Sequence, residues 1–456
     1  MTLRFYNSLT NQKEDFIPIR EGEVSMYVCG MTVYDSCHLG HARAMMAFDI
    51  LVRYLKNQGY KVKFVRNITD VDDKIIERAI KNNESIGELT QRTIASMQED
   101  FSQLGLLLPN TEPRATDYIA GMIEMIEGLI QKGHAYHSPG GDVFFAVRTF
   151  PEYGKLSNKN IDDLNPGARI AEDDSKKDPL DFVLWKSAKE GEPSWDSPWG
   201  QGRPGWHIEC SVMSFENLGE HFDIHGGGPD LLFPHHENEI AQSECASGNK
   251  FANYWLHSGL LKINGEKMSK SLGNFAMLKD LFISYHPEVV RYYLVSSHYR
   301  SSLNFDQESL NQARSALTRL YQALTSMEGE GNELDQDMMN QFSFVMNDDL
   351  NTPEALSLLF QLAKSINNAP DPKQKMKYGA TLKKLSGVLG LLQDEPKNFF
   401  QFGATLSDEE IGQQIALRNA ARDERDFQTA DKIRDSLIEQ GIILDDSSDG
   451  TTWKKS

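Results

Sequence analysis

Long hydrophobic runs are missing from this chain. No window of about 18 apolar residues occurs, which excludes a membrane-spanning helix. The opening Met1-Thr2-Leu3-Arg4-Phe5-Tyr6-Asn7 has no apolar stretch of the kind a secretory signal needs. Cysteine is scarce: Cys29, Cys37, Cys210 and Cys245 are four in 456 residues, too few and too scattered for a disulfide framework. Reduced thiols in a soluble cytoplasmic protein are the expectation. Positive charge is also short. With 47 Lys and Arg against 66 Asp and Glu, the formal net charge is −19. That excludes a protein that coats nucleic acid or anionic membrane by bulk charge, but not a local basic surface on an acidic body. No repeat period and no low-complexity tract is present.

What is present is an ordinary globular composition, 39% hydrophobic and 25% charged. At roughly 100–200 residues per domain, the length corresponds to several domains. Val24–Cys29 reads as a short buried strand ended by Gly30. Apolar periodicity from about Ala42 to Leu55 gives a helix that stops near Gly59, and Lys61–Ile68 gives a second strand. Strand, turn, helix and strand in so short a span make a βαβ unit, the seed of a doubly wound parallel sheet. Residues 96–199 read as an insertion of helical pieces, turns and polar stretches. Strand and helix signals resume at Phe222–His225, Pro234–Ser247 and Tyr254–Leu261. From about Pro287 the pattern is almost wholly helical, and the end is read as one long polar helix, Ile411–Gln440, with a tail that can form a strand.

Three constellations carry chemistry. His38-Leu39-Gly40-His41 lies between the first strand and the first helix. Gly40 permits close approach of backbone to a ligand, and two imidazoles at a helix start can donate to phosphate oxygens where the dipole favours anions. Taken alone, it is equally two incidental histidines in a polar turn. Lys267-Met268-Ser269-Lys270-Ser271 follows the turn Asn264-Gly265. Its two lysines, interleaved with hydroxyls, can clamp phosphates as point charges, though a solvated basic loop fits as well. In this order the two strings resemble the signature motifs of class I aminoacyl-tRNA synthetases, with Leu39 in place of the usual isoleucine. The third constellation is Cys29, Cys210 in Gly205-Trp206-His207-Ile208-Glu209-Cys210, and Phe233-Pro234-His235-His236-Glu237-Asn238-Glu239. On a helix, His235 and Glu239 share a face at i and i+4, and His236 with Glu239 at i and i+3 is also possible. With two thiolates, such a face can complete a tetrahedral zinc site. Without a C-x-x-C pair, two buried structural cysteines beside a polar helix fit the spacing as well.

Cys29–Asp35, Asn67–Lys74, Pro198-Trp199-Gly200 through Cys210, His225–Gly228, the His235–Glu239 cluster and Asn351–Leu356 together resemble the cysteinyl-tRNA synthetase family. The likeness runs from about residue 3 to Trp453; Pro229 stands where the family often has a smaller polar residue. The resemblance implies an α/β fold: a doubly wound, Rossmann-like parallel-sheet catalytic domain (1–95 and 200–262) with an inserted connective domain (96–199). A signature-loop and stem-contact region (263–310), a helical bundle (311–400) and a C-terminal anticodon-binding module (401–456) follow. It implies one zinc on Cys29, Cys210, His235 and Glu239, ATP with Mg²⁺, L-cysteine and tRNA(Cys) as substrates, and action as a monomer. His38, Gly40, His41, Lys267, Ser269 and Lys270 are the implied ATP-binding residues, with His38, His41, Lys267 and Lys270 catalytic. Trp206, His207 and Asp230 are candidates for the amino-acid pocket, each weighed against plain packing. Cys37 and Cys245 are read as core.

Two other functions fit parts of the chain. A ligase that passes activated cysteine to a small amine would resemble the N-terminal portion; the region after about 310 and the segment Asp423–Leu437 favour tRNA instead. A zinc-dependent RNA-binding protein without catalysis is opposed by the intact His and Lys strings. Charge is distributed accordingly: residues 31–66 hold six basic against two acidic side chains and residues 256–300 six against three, while residues 401–456 hold seven against twelve. The terminal module therefore has to read RNA by a local face, shape and base contacts.

Overall fold

A computed structural model describes residues 2–455 except 164–174, 268–274, 328, 330, 448 and 449, and excepting the side chains of Lys267 and Ser447. The chain forms two compact units, one of Met1–Met277, Leu294–Phe305 and Ser343–Ala355, the other of Leu278–Tyr293, Asp306–Phe342 and Leu356–Ser456.

The first unit is built on a four-stranded, all-parallel sheet in the spatial order Ala252–His257, Phe222–Gly227, Glu23–Thr32, Lys61–Thr69. Its central strands are near-continuously buried, as a sheet covered on both faces requires. The expected βαβ unit is present: helix Leu39–Asn57 crosses between the parallel strands Glu23–Thr32 and Lys61–Thr69. The chain leaves Glu23–Thr32 to build the sheet on one side and returns to build the other. That makes a topological switch point beside the C-terminal end of this strand, where α/β sheets open a crevice.

The ladder is interrupted there. Between Val28 and Met31 the register with the neighbouring strand shifts, and Gly30 N–H donates to the side-chain Oδ1 of Asn67 (2.8 Å). A Cβ on Gly30 would lie 1.8 Å from the Asn67 carbonyl oxygen, so only glycine fits. The bulge re-aims Cys29 at the end of the strand.

Among the elements that periodicity did not show is an antiparallel sheet of three strands of the insertion, Ala135–His137, Val143–Phe145 and Phe182–Ser187, and a fourth, Gly202–Pro204, just beyond its expected end at 199. Its strands are three to six residues long, too short for alternation to stand out. An N-terminal hairpin, Arg4–Asn7 with Gln12–Asp15, is tied to the last segment of the unit: buried Asp349 accepts from Tyr6 N (2.9 Å), Tyr299 OH (2.7 Å) and Arg300 Nε (2.7 Å).

In the second unit, helices Gln307–Thr325 and Pro372–Val388 start on the side-chain caps Asp306 and Asp371. Buried Glu288 accepts from Tyr321 OH (2.9 Å) and from the N–H groups of Leu392 (2.6 Å) and Gln393 (3.2 Å). The single polar helix expected over Ile411–Gln440 is in fact two, Asp408–Asp423 and Phe427–Glu439. Arg425 takes a left-handed conformation (φ 63°), and Asp426 caps the second helix by accepting from Thr429 N (3.1 Å). The Glu-Arg-Asp junction gave no Gly or Pro signal. A hairpin, Ile442–Ser447 with Gly450–Lys455, follows, and a small core of Ile411, Leu437 and Ile442 holds the module together.

Replacing Gly30 with Ala is expected to lower unfolding stability by roughly 2–3 kcal/mol, because the clash is with backbone that cannot rotate away. Equal denaturation midpoints for Gly30→Ala and the parent chain would refute that reading of the bulge.

Candidate active site and metal centre

Four elements deliver side chains to the switch point. The bulged strand presents Cys29, helix Trp206–Leu218 presents Cys210 in its first turn and a half, and strand Phe222–Gly227 presents His225. The segment Leu232–His236, which runs into helix Glu237–Ser247, presents His235, His236 and Glu239. All six are buried, Glu239 and His225 completely. Cys29 Sγ lies 3.6 Å from Cys210 Sγ, 3.6 Å from His235 Nε2 and 3.4 Å from Glu239 Oε1. A tetrahedral zinc with ordinary bond lengths spaces its donors about 3.8 Å (S···S), 3.6 Å (S···N) and 3.5 Å (S···O) apart. The His235 Nε2–Glu239 Oε1 edge, 2.9 Å, is a hydrogen bond that has to lengthen by a few tenths of an ångström to admit an ion. Two donor sets lie within 4.8 Å: Cys29, Cys210, His235 and Glu239, and Cys29, His225, His236 and Glu239.

Electrostatics distinguish the groups. Burial alone would raise the Cys210 thiol, but its hydrogen bond from Cys29 and the facing His235 bring it down to about 6. Burial, the Cys210 contact and Glu239 together hold the Cys29 thiol well up. Burial opposes a charged His235, yet Glu239 and Cys210 raise it to about 10. The Glu239 carboxyl is held far below the usual range, against burial, by His225 and His235. One thiolate and one carboxylate are thus already ionised before any cation arrives, which suits a soft, positively charged ligand.

Behind these lies a second layer of histidines, of which the sequence had offered only His236, as an alternative to His235, and not His225 or His257 as donors. His225 Nε2 meets Glu239 Oε2 at 2.8 Å, with its ring stacked on Trp255 (centroids 4.3 Å). His236 Nδ1 meets His257 Nε2 at 2.8 Å, and His257 Nδ1 meets Ser8 Oγ at 2.8 Å. His225 Nδ1 and His236 Nε2 have no hydrogen-bond partner. The available signal was a histidine at the C-terminal end of each of two buried strands; no short motif joins them.

Beside this cluster is a cavity of about 350 Å³ lined by Cys29, Thr32, His38, Gly40, His41, Lys74, Trp206, Asp230 and Phe275, among others. His38 caps helix Leu39–Asn57 and exchanges bonds with His41: His41 N donates to His38 Nδ1 (3.2 Å) and His38 N to His41 Nδ1 (3.4 Å). The rings stack at 3.5 Å. Burial and the neighbouring His38 hold His41 well below its usual value, so its ring is neutral with the proton on Nε2. Trp206 stacks on His235 (4.2 Å), and His207 Nδ1 meets His235 Nδ1 at 2.9 Å. Both therefore back the cluster, and Asp230 lines the cavity. Of the second signature string, Lys267 ends the short strand Glu266–Lys267; its side chain, Ser269 and Lys270 lie outside the described residues. The chain after that segment returns to the first motif: Leu39 N donates to Ala276 O (2.8 Å), and the Phe275 ring lies 5.4 Å from that of His38.

A cleft at the switch point, a helix opened by paired histidines and a following loop that returns to them define a class I tRNA synthetase. Residues 15–315 match the family of tRNA synthetases class I (C) catalytic domain, and residues 341–393 match the DALR domain. Solved structures of similar fold include Mycobacterium tuberculosis methionyl-tRNA synthetase in complex with methionyl-adenylate (14% identity, TM-score 0.57, 80% of this chain and 89% of that one). Another is the ternary complex of Agrobacterium radiobacter K84 agnB2 LeuRS-tRNA-LeuAMS (12% identity, TM-score 0.60, 86% of each chain). Much closer in sequence are the cysteine--tRNA ligases of Methylococcus capsulatus, 56% identical over 99% of this chain and 100% of that protein, and of Azotobacter vinelandii, 54% identical over 100% and 99%. The chain belongs to the cysteine--tRNA ligase family. No helix among the described residues is long and apolar enough to cross a membrane.

The two donor sets make opposite predictions. If Cys210 and His235 hold the metal, Cys210→Ser should weaken zinc binding by more than the 10–100-fold expected for His225→Gln, which removes only an outer hydrogen bond to Glu239. Competition with a chromophoric chelator measures both; a larger loss in His225→Gln or His236→Gln would assign the metal to the other set.

Proposed function

We propose that the chain activates L-cysteine with ATP and transfers the product to tRNA(Cys), acting in the cytoplasm as a monomer. What carries this reading is that Cys29, a member of the thiol, imidazole and carboxylate cluster, lines the same cavity as the His38–His41 turn. Cys29, Cys210, His235 and Glu239 are the fitting holders of one zinc, since their spacing suits a tetrahedron and two sulfurs suit that metal. When bound, zinc would take a substrate thiol as thiolate, as a donor added to these four, and a serine hydroxyl far more weakly. His225 then holds the outer oxygen of Glu239, and Trp206 and His207 fix the His235 ring.

The substrate carboxylate attacks the α-phosphate in line, giving cysteinyl-adenylate and pyrophosphate. Neutral His41 donates from Nε2 to charge developing on the phosphoryl oxygens, and His38 lies against it. Lys267, Ser269 and Lys270 hold the departing pyrophosphate, with ATP bound as its Mg²⁺ complex. Trp206, His207 and Asp230 line the amino-acid end. The hydroxyl of the terminal adenosine then attacks the cysteinyl carbonyl of the adenylate, the mixed anhydride breaks and AMP leaves with the hydroxyl proton, while residues 311–400 and 401–456 engage the tRNA body and anticodon. Positioning and electrostatics suffice; no protein nucleophile is needed.

Cysteine-dependent ATP–pyrophosphate exchange, followed by charging of tRNA against a small amine, tests this. Exchange should favour cysteine over serine by at least about 10⁴, the discrimination available when a site rejects a substrate lacking its required ligand group. No exchange defeats the reading, and charging of an amine alone supports the other ligase. Lys270→Ala should slow adenylation by about tenfold to a thousandfold; a normal rate would remove Lys270 from the reaction.

A further inference from the structure

The segment Asp70–Arg78, of which Lys74 lines the cavity, is rich in charge, and most of it is engaged within the protein. Asp70 accepts from Thr116 N (3.0 Å) and Thr116 Oγ1 (2.6 Å). Asp72 caps helix Asp73–Asn82 by accepting from the backbone N–H of Lys74 (2.8 Å). Asp73 is held by Lys186 (3.0 Å) and by Arg203, which come from the antiparallel sheet of the insertion. Arg78 is paired with Asp35 (2.6 Å). Lys74 is different. Its side chain is exposed, it lines the cavity, and among the described residues no carboxylate lies within the 4 Å of an ion pair. It is also the only Lys or Arg among the described residues that line this cavity.

Two aromatic faces flank it. The Lys74 ammonium lies 5.9 Å from the centroid of the Tyr34 ring and 6.0 Å from that of Trp206, and both rings line the same cavity. Trp206 in turn is stacked on His235, which fixes its plane. An exposed cation that lines a cavity, flanked by two aromatic rings and without an ion-pair partner among the described residues, is the recognition chemistry of single-stranded nucleic acid, phosphate on the ammonium and base on a ring. Of the anions the proposed reaction brings here, the ATP phosphates are assigned to the His38–His41 turn. An amino-acid carboxylate would be enclosed in the cavity. The exposed ammonium suits a strand arriving from solvent.

We infer that Lys74, between Tyr34 and Trp206, receives a backbone phosphate of the single-stranded 3′ end of the tRNA as that end enters the cavity. This rests on the tRNA-charging reading above. Its role is to guide the terminal adenosine to the adenylate, so it acts in transfer and not in activation.

The test measures two half-reactions on the full chain, with tRNA(Cys) transcript as the probe. Lys74→Ala should lower kcat/KM for tRNA about tenfold, change cysteine-dependent ATP–pyrophosphate exchange less than about threefold, and reduce the slope of log(kcat/KM) against log[salt] by about 0.7, one single-strand phosphate contact. Lys74→Arg should restore most of the loss. Exchange in the variant also shows that it is folded. Equal losses in exchange and charging would instead place Lys74 on the amino acid or ATP and overturn the inference, as would normal charging or an unchanged salt slope. Absence of exchange in the parent chain would fail the function itself, a result distinct from both.

Discussion

A carboxylate sealed from solvent is the constraint on which the catalytic unit is organised. Burying an ion without partners is prohibitively unfavourable, and compensation requires opposite charge and saturated hydrogen bonding at short range. Both oxygens of Glu239 are met by imidazoles, His235 on one and His225 on the other, with Cys29 against the first. Those partners come from different elements, so the strand, the kinked segment and the helix have to converge within a few tenths of an ångström. The bulge at Gly30, the Trp206 stack on His235 and the Trp255 stack on His225 are the local devices that hold the convergence.

The same helix start also secures the insertion. Buried Glu237, two residues before Glu239, accepts from Gly154 N (2.9 Å), Ser157 N (2.8 Å) and Ser157 Oγ (2.8 Å), while Asn238 accepts from Tyr153 OH. Three consecutive side chains therefore divide the work: two bind the inserted segment and the third faces the cysteines. A disturbance in the 153–157 loop reaches the face that carries Glu239 through one turn of helix.

Much of this was legible beforehand, and the reason differs by feature. His38 and His41 sit in a four-residue motif at a helix start, where a capping arrangement and a ligand-binding arrangement use the same geometry, so the sequence placed them correctly. Cys29, Cys210, His235 and Glu239 were named by family likeness; spacing alone could not separate His235 from His236, because both reach Glu239 within one helical turn. The parts of His225 and His257 were illegible because they sit on separate strands, and no short motif joins them to His236 or Glu239. The insertion's sheet was missed because strands of three residues carry no period, and the break at Arg425 because a left-handed arginine leaves no compositional trace. Lys74 lay inside a recognised string, but its distinction is relational: it is the one Lys or Arg among the described residues that line the cavity, and no ion pair among them holds it.

The distances along the chain between the converging groups have a consequence for synthesis. Cys29 is separated from Cys210 by 181 residues and from Glu239 by 210, and the N-terminal hairpin bonds to Asp349, 343 residues beyond Tyr6. At about 5–20 residues per second, Cys29 leaves the ribosome roughly 10–40 s before Glu239 exists. During that interval its thiol has neither cluster nor closed sheet around it and depends on the reducing power of its surroundings. Completion of the buried Cys/His/Glu cluster, and with it of the catalytic unit, is thus a late event in the life of the nascent chain, set by where its partners lie along the sequence.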